Sequence, residues 1–135
     1  MKLNLETIQQ INLFENVTGS KVKDCFLDEG VLVFIVEENN VQRALGKNNS
    51  NIERLKKMLK KDIRIIGFSS NVVKFINNLL YPVKPENIEL KDNIVYITAK
   101  DSITKGKIYG RGRENLKKIK KIISNYFKIE DIRVI

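Results

Sequence analysis

Hydrophobic and polar positions change their spacing several times along the chain, and each change predicts a new element. Apolar residues recur at helical spacing over 5–14. A moderately alternating stretch over 21–27 and a continuously apolar one over 31–36 flank the turn signal Asp28-Glu29-Gly30. These patterns predict an opening helix followed by a β-hairpin, with the second hairpin strand covered on both faces.

The pattern then returns to helical spacing on both sides of a glycine. Residues 41–45 predict one helical turn before Gly46, and the S-x-x-E pattern that starts at Ser50 predicts a capping box opening a helix through Lys60. Residues 62–66, DIRII, alternate as a strand, which the next glycine is expected to close. The expected buried stripe of the longer helix consists of Ile52, Leu55, Met58 and Leu59.

A second series of elements includes a turn with Pro82 and Pro85. Ser69 or Ser70 is expected to cap a helix over 71–80, which the prolines prevent from continuing because proline lacks the amide donor. The later patterns predict a hairpin over 88–90 and 94–99, a short helix over 103–109, a long helix over 113–127 with a buried stripe of Leu116, Ile119, Ile122, Ile123 and Phe127, and a closing strand over 131–135.

The two series repeat each other, which indicates a duplication. At an offset of 64 residues, Gly46 pairs with Gly110 and Asn51 with Asn115. DIRII repeats as DIRVI at an offset of 69, so the second long helix or its exit is five residues longer. Because a crossover through helices covers one sheet face, each unit is expected to be a three-stranded mixed sheet with helices on one side, an α+β fold of the α/β sandwich type. The expected domains, packed closely together, are residues 1–68 and 69–135.

Charge and composition narrow the class of function. The chain has 25 Lys and Arg against 16 Asp and Glu, a net charge of +9 that attracts polyanions such as nucleic acid or an acidic membrane. The half that follows Ser70 carries +7 of it. A single cysteine, Cys25, expected in the core, and no histidine argue against a disulfide or a zinc site. No catalytic constellation, cofactor motif, membrane span or signal sequence emerges. We expect a cytoplasmic, non-enzymatic protein.

Each predicted loop combines a glycine with basic residues at the start of a helix. A helix N-terminus suits an anion because its first amides lack helical partners, and glycine lets a phosphate approach the backbone. Tyr109, in the place of Leu45, is expected to pack rather than to stack on a base. The candidate residues for binding a polyanion are Gly46, Lys47, Asn48, Asn49, Lys105, Lys107, Gly110, Arg111, Gly112, Arg113 and Lys117.

The chain resembles the archaeal form of the transcription factor NusA, a family with two KH domains that lacks the additional domains of its bacterial counterpart. The resemblance spans nearly the whole chain and rests on ETIQQINLFENVTGSKVKDCF, VFIVEE, LGKNNSNIERLKKML, the spacer with Pro82, KGKIYGRGREN and the closing EDIRVI. It implies tandem type II (prokaryotic) KH domains, since two strands precede each loop and one follows. The implied role is binding of single-stranded RNA in transcription termination, antitermination or pausing, with RNA polymerase as a partner.

KH modules hold about four nucleotides of single-stranded backbone against a G-x-x-G loop, with bases in an adjacent groove. Both loops depart from this motif at the fourth position, where Asn49 and Arg113 replace glycine. Asparagine adopts left-handed backbone more readily than most residues, and Gly112 is expected to absorb the second turn. Asn51 and Asn115, one turn into each helix, are candidates either to contact RNA or to cap the helix.

Two other interpretations stay open. A ribosome-associated or RNA-processing KH protein would have a similar composition. An interaction module on RNA polymerase, whose altered loops no longer bind RNA, would keep the same fold. The pattern of residues does not distinguish these from the leading interpretation, and it leaves the RNA sequence preference and the oligomeric state open.

Overall fold

The computed structural model describes residues 4–135 and divides the chain between Ser69 and Ser70 into two compact units. Both have the element order helix, strand, strand, helix, helix, strand, which confirms the predicted repeat. The first unit contains α1 Leu5–Thr18, β1 Val22–Asp28, β2 Val31–Glu37, α2 Val41–Leu45, α3 Ser50–Leu59 and β3 Asp62–Phe68. The second contains α4 Val72–Leu80, β4 Asn87–Lys91, β5 Ile94–Thr98, α5 Ser102–Tyr109, α6 Glu114–Ser124 and β6 Asp131–Val134.

Each unit is built on a three-stranded sheet of mixed direction. In the first sheet β1 and β2 are antiparallel and β3 is parallel to β2, which is therefore central. The second sheet repeats this arrangement with β4, β5 and β6. The two hairpin turns place both central residues at positive φ, namely Glu29 and Gly30 in one and Asp92 and Asn93 in the other. This geometry matches the natural twist of paired strands, so both predicted hairpins are confirmed.

The core of the first unit lies between its helices and one face of its sheet. Phe14 of α1 stacks on Phe34 of β2 with the ring centroids 4.2 Å apart, and both side chains are fully buried. Leu55 of α3 belongs to the same cluster. All residues from Leu32 to Val36 are buried, and because side chains alternate between faces along a strand, both faces of β2 are covered as expected.

The helix α3 buries a narrower stripe than its pattern predicted. Leu55 is fully buried, and Ile52 and Leu59 are partly buried, whereas Met58 is 52% exposed. The prediction that Met58 belongs to the buried stripe is therefore wrong. At 3.6 residues per turn, Ile52, Leu55 and Leu59 lie within about 60° of one another around the helix axis, whereas Met58 lies about 60° beyond Leu55, outside this arc.

Two helix starts also differ from the prediction. The side chain of Asn71 caps α4 by accepting a hydrogen bond of 3.2 Å from the amide three residues on, so neither Ser69 nor Ser70 is the cap. In α3, Ser50 already has helical dihedrals, φ −60° and ψ −36°. The preceding Asn49 makes no side-chain capping bond, so the predicted capping box is absent.

The strand β3 continues through the glycine that was expected to end it. Gly67 pairs with Val36, and the strand ends at Phe68. A Cβ at Gly67 would lie 3.0 Å from Cγ2 of Val41 and 3.2 Å from Cα of Glu38. The glycine is therefore explained by the close approach of the segment that leads into α2, rather than by a turn.

The second long helix is shorter than predicted, and the extra residues of this unit lie mainly in its exit. Leu116, Ile119 and Ile123 are buried as predicted, while Ile122 is only partly buried. The helix ends at Ser124, and residues 125–130 lead to β6, compared with residues 60–61 in the first unit. Phe127 thus lies beyond the helix, partly buried, with its ring centroid 6.1 Å from that of Phe75.

Cys25 lies in the core of the first unit, as expected, with 5% of its surface exposed. Burial and the neighbouring Asp24 carboxylate raise the pKa of its thiol to about 12, so the thiol remains protonated at neutral pH. In the described part of the chain, no helix is long and apolar enough to cross a membrane. Over the same residues, His, Cys, Asp and Glu form no group of three or more that could hold a metal ion.

Candidate nucleic-acid interface

Two loops, residues 46–49 and 110–113, connect the short and long helices of the two units, and they share one backbone conformation. Their first residues have nearly equal dihedrals, φ 75° and ψ 169° at Gly46 and φ 71° and ψ 173° at Gly110. The backbone carbonyl of the second residue, Lys47 or Arg111, accepts a hydrogen bond from the amide three residues on. The third and fourth residues are all left-handed, with φ of 55° at Asn48, 58° at Asn49, 60° at Gly112 and 61° at Arg113.

The fourth loop residue is left-handed in both units although neither has glycine there. Asn49 adopts this region readily because its short polar side chain tolerates it. Arg113 adopts it at a cost of about 1–2 kcal/mol. Gly112 was expected to absorb the turn, but the loop requires two successive left-handed residues and Gly112 supplies only the first. Gly112 therefore absorbs part of the turn, as expected, and Arg113 absorbs the rest.

The first residue of each loop is glycine because of close packing as well as its positive φ. A Cβ at Gly46 would lie 2.8 Å from Cγ of Asn51 and 2.9 Å from Oγ of Ser50. At Gly110 it would lie 2.5 Å from Cβ and 3.0 Å from the backbone nitrogen of Asn115. Each loop therefore folds tightly against the asparagine that follows it on the long helix.

The side chains of the same asparagines form a hydrogen bond between each long helix and the preceding short helix. Nδ2 of Asn51 donates a hydrogen bond of 3.1 Å to the carbonyl oxygen of Arg43, and Nδ2 of Asn115 donates one of 3.0 Å to that of Ile108. The last carbonyls of a helix lack intrahelical partners. The side chains thus satisfy the end of the preceding helix and hold the loop closed, which is a different role from capping their own helix.

Neither long helix has a side-chain cap at its N-terminus. The amides of Asn49 and Arg113 are satisfied within the loops, since each donates a hydrogen bond of 3.1 Å to the carbonyl oxygen of the loop's first glycine. The helix dipole places partial positive charge at the following first turn. This end of each long helix is therefore suited to an anion, in the place where the sequence predicted one.

Basic side chains surround both loops. Lys47 and Arg111 are exposed, and within residues 4–135 the structure gives neither an ion-pair partner. Arg43 in the last turn of α2 and Lys107 in the last turn of α5 occupy matching positions, and Lys105 is partly buried on α5. Lys107 was among the predicted binding residues and Arg43 was not, although the 64-residue offset pairs them.

The second loop carries an aromatic contact that the first loop lacks. Cζ of Arg113 lies 4.8 Å from the ring centroid of Tyr109, within the range of a cation–π interaction. Tyr109 is partly buried at the end of α5, so it packs as expected while one ring face supports the guanidinium. The first unit has Leu45 and Asn49 at the corresponding positions.

The lysines of α6 differ from the loop residues because carboxylates lie close to them. Nζ of Lys117 lies 3.6 Å from Oε1 of Glu114, with both side chains exposed. Nζ of Lys120 lies 3.1 Å from Oδ1 of Asp131. The hydrogen bond from Lys120, followed by that from the Ile132 amide, lowers the pKa of Asp131. Lys117 is therefore near the loop, but Glu114 offsets its charge.

Comparison with known proteins identifies the family. The KH domain family matches residues 9–77, which include the first loop. A probable transcription termination protein NusA from Methanococcus vannielii is 30% identical, over all of this chain and 80% of that protein. Its counterpart from Methanocaldococcus jannaschii is 29% identical, over all of this chain and 75% of that protein. The crystal structure of APE1850 has 29% identity and a TM-score of 0.70, covering 98% of this chain and 100% of that chain. The chain belongs to the KH-domain family and is homologous to the archaeal NusA-like proteins.

Proposed function

We propose that the protein is a transcription factor that binds single-stranded RNA through two type II KH domains, residues 1–68 and 69–135. It acts in transcription termination, antitermination or pausing, and RNA polymerase is its partner. The family match and the names of the relatives support an RNA-binding, NusA-like role. The repeated strand order supports a second KH domain beyond the matched residues.

The observation that carries the proposal is the shared backbone of the two loops. Both begin with a glycine of the same dihedrals, continue with an exposed basic residue, and end with two left-handed residues before an amphipathic helix. A turn that only connected two helices would not need this conformation in both units. A loop that clamps a sugar-phosphate backbone does need one fixed shape.

In this mechanism the loops hold the phosphates and the rest of each domain receives the bases. Glycine at position 46 or 110 lets the loop fold tightly against the long helix and so gives it the backbone shape that meets the RNA. The partial charge at the helix N-terminus attracts phosphate oxygens, and Lys47 or Arg111 adds a full charge beside it. These contacts are independent of base identity, so they position the strand, and aliphatic residues of the adjacent groove admit the bases.

Titration with fluorescently labelled short single-stranded RNA tests the proposal. For single strands, log affinity should fall with log salt at a slope near 0.7 per neutralised phosphate. Arg111→Asp should reduce both the affinity and this slope. Lys128→Asp is the matched charge-reversal control, because Lys128 is exposed beyond the opposite end of α6, about 16 Å along the helix axis.

Several outcomes would count against parts of the proposal. An equal effect of the two variants would remove the second loop from the interface. Lys47→Asp should weaken binding less than Arg111→Asp, because the second half carries most of the net charge. The reverse order would show that the distribution of net charge does not decide which loop contributes more to binding. If the wild-type protein binds no RNA at low salt, only the interaction-module interpretation survives.

The partners can be separated by two further measurements. Affinity purification of the tagged protein should recover RNA polymerase, and recovery of ribosomes instead would favour the ribosome-associated interpretation. Each clamp holds about four nucleotides. If the two domains engage one strand, an RNA of about eight nucleotides should bind more tightly than one of about four, and equal affinities would argue against a joint track.

A further inference from the structure

The two loops have the same backbone but different side chains at two positions. Where the first unit has Leu45 and Asn49, the second has Tyr109 and Arg113. The two residues of the second loop are in contact, with Cζ of Arg113 4.8 Å from the centre of the Tyr109 ring. This contact joins the end of the short helix to the last residue of the loop and exists only in the second unit.

The contact fixes the orientation of a planar group. A guanidinium over an aromatic face is attracted by the negative charge of that face and loses rotational freedom there. Tyr109 is partly buried and supports the group from within the domain, whereas Arg113 is exposed. The guanidinium therefore has the Tyr109 ring on one side and solvent on the other, at the end of the loop.

We propose that the open face of the Arg113 guanidinium is a stacking platform for one RNA base. This inference rests on the proposed RNA-binding function. Arg guanidinium planes and aromatic rings both accept unpaired bases in RNA-binding proteins, and such stacking tolerates any base identity. Arg111 supplies the phosphate charge in this loop, and Arg113 adds a base contact beside it. The second domain then holds both the backbone and one base, while the first has Asn49 in place of the platform.

A double-mutant cycle between protein and RNA tests the platform directly. The probe is the tightest-binding eight-nucleotide RNA of the pool, with each position in turn made abasic. In the wild type, one abasic position should weaken binding about tenfold. Arg113→Lys keeps the charge and removes the plane, and Tyr109→Leu reproduces the residue of the first unit. Both variants should bind intact RNA about tenfold more weakly than the wild type does. Making that one position abasic should weaken their binding no further.

If the protein variant and the abasic position weaken binding additively, Arg113 is not a stacking platform. If Arg113→Lys and the wild type respond equally to every abasic position, Arg113 contacts the RNA backbone or nothing. In that case wild-type binding persists and the proposed function stands. Absence of wild-type binding would overturn both proposals together, so the two failures are distinguishable.

The variant Arg113→Gly separates loss of binding from loss of folding. Glycine is unstrained at φ 61°, so this variant should unfold at the same temperature as the wild type or higher, yet bind more weakly. Asn49→Gly makes the same backbone change in the first loop, where no aromatic contact is lost. It should weaken binding less than Arg113→Gly, and an equal or larger effect would contradict the platform.

Discussion

Replacing Gly110 with alanine should destabilise the second unit more than the same change two residues later. Gly110 and Gly112 lie in one loop, and both have positive φ, 71° and 60°. They differ in their surroundings. A Cβ at Gly110 would lie 2.5 Å from Cβ and 3.0 Å from the backbone nitrogen of Asn115, whereas a Cβ at Gly112 would meet nothing within 4 Å. Gly110→Ala therefore carries a steric clash that Gly112→Ala lacks. It also carries more backbone strain, because ψ is 173° at Gly110, in a region that essentially only glycine adopts, and 24° at Gly112, in the left-handed helical region.

The magnitudes follow from these two contributions. An alanine in the left-handed region costs about 1–2 kcal/mol, which is the whole effect expected for Gly112→Ala. At Gly110 the backbone strain of an alanine is about 1–3 kcal/mol, and forcing a methyl group into a filled space adds about 1–3 kcal/mol, so Gly110→Ala should cost about 2–6 kcal/mol. A third glycine is the internal standard, because Gly106 lies within α5 with nothing near its Cβ position. Gly106→Ala should stabilise by about 0.4–1 kcal/mol.

Urea unfolding followed by circular dichroism would measure the three changes on one scale. The expected order of midpoints is Gly106→Ala above the wild type, then Gly112→Ala, then Gly110→Ala. Equal midpoints for the last two would refute the steric part of the reasoning. A Gly112→Ala variant as stable as the wild type would refute the assigned loop conformation.

Three other predictions concern different parts of the chain. In the first loop the clash partners are side-chain atoms of Asn51 and Ser50, so Asn51→Ala should partly rescue Gly46→Ala, and a double-mutant cycle in urea with no coupling would contradict this. Cys25, with a pKa raised to about 12, should resist thiol reagents at pH 8 until the protein is unfolded, and rapid labelling of the native protein would oppose its buried placement. The lowered pKa of Asp131 contributes stability that is present above its unfolded pKa of about 3.9 and lost as the pH falls through the lower folded value. Lys120→Met should therefore shrink the acid-induced drop in the urea midpoint, and an unchanged drop would rule out this ion pair as its source.

The order of elements could be predicted because periodicity reports which faces are buried. The continuous apolar run of β2 is buried on both faces, and the helical spacing around Leu55 and Ile119 marks the buried sides of α3 and α6. Single positions within these patterns depend on neighbours that periodicity does not describe. Met58 is apolar yet lies beside the buried stripe of α3. Gly67 is explained by the close approach of Val41 rather than by a turn.

The loop could be located from the duplication, but its internal geometry could not. Matching glycines identified both sites, and their flanking basic residues were visible in the chain. The requirement for two successive left-handed residues appears only in the backbone, because asparagine, glycine and arginine all occupy those positions. The hydrogen bonds of Asn51 and Asn115 to the preceding helix were hidden for the same reason, since their partners are carbonyl groups that no side-chain pattern reveals.

Arg113 is a position where local preference and observed structure disagree. A long basic side chain is held in a conformation that favours glycine, at the place where the KH motif has glycine. The contact with Tyr109 offsets part of this cost, since an exposed cation–π interaction contributes about 0.5–1 kcal/mol against about 1–2 kcal/mol of backbone strain. A net cost remains, and residual strain of this kind is characteristic of residues that contact a ligand. Bound RNA should therefore raise the unfolding temperature of the wild type by more than that of Arg113→Gly, whereas equal increases would mean that the strain has no link to binding.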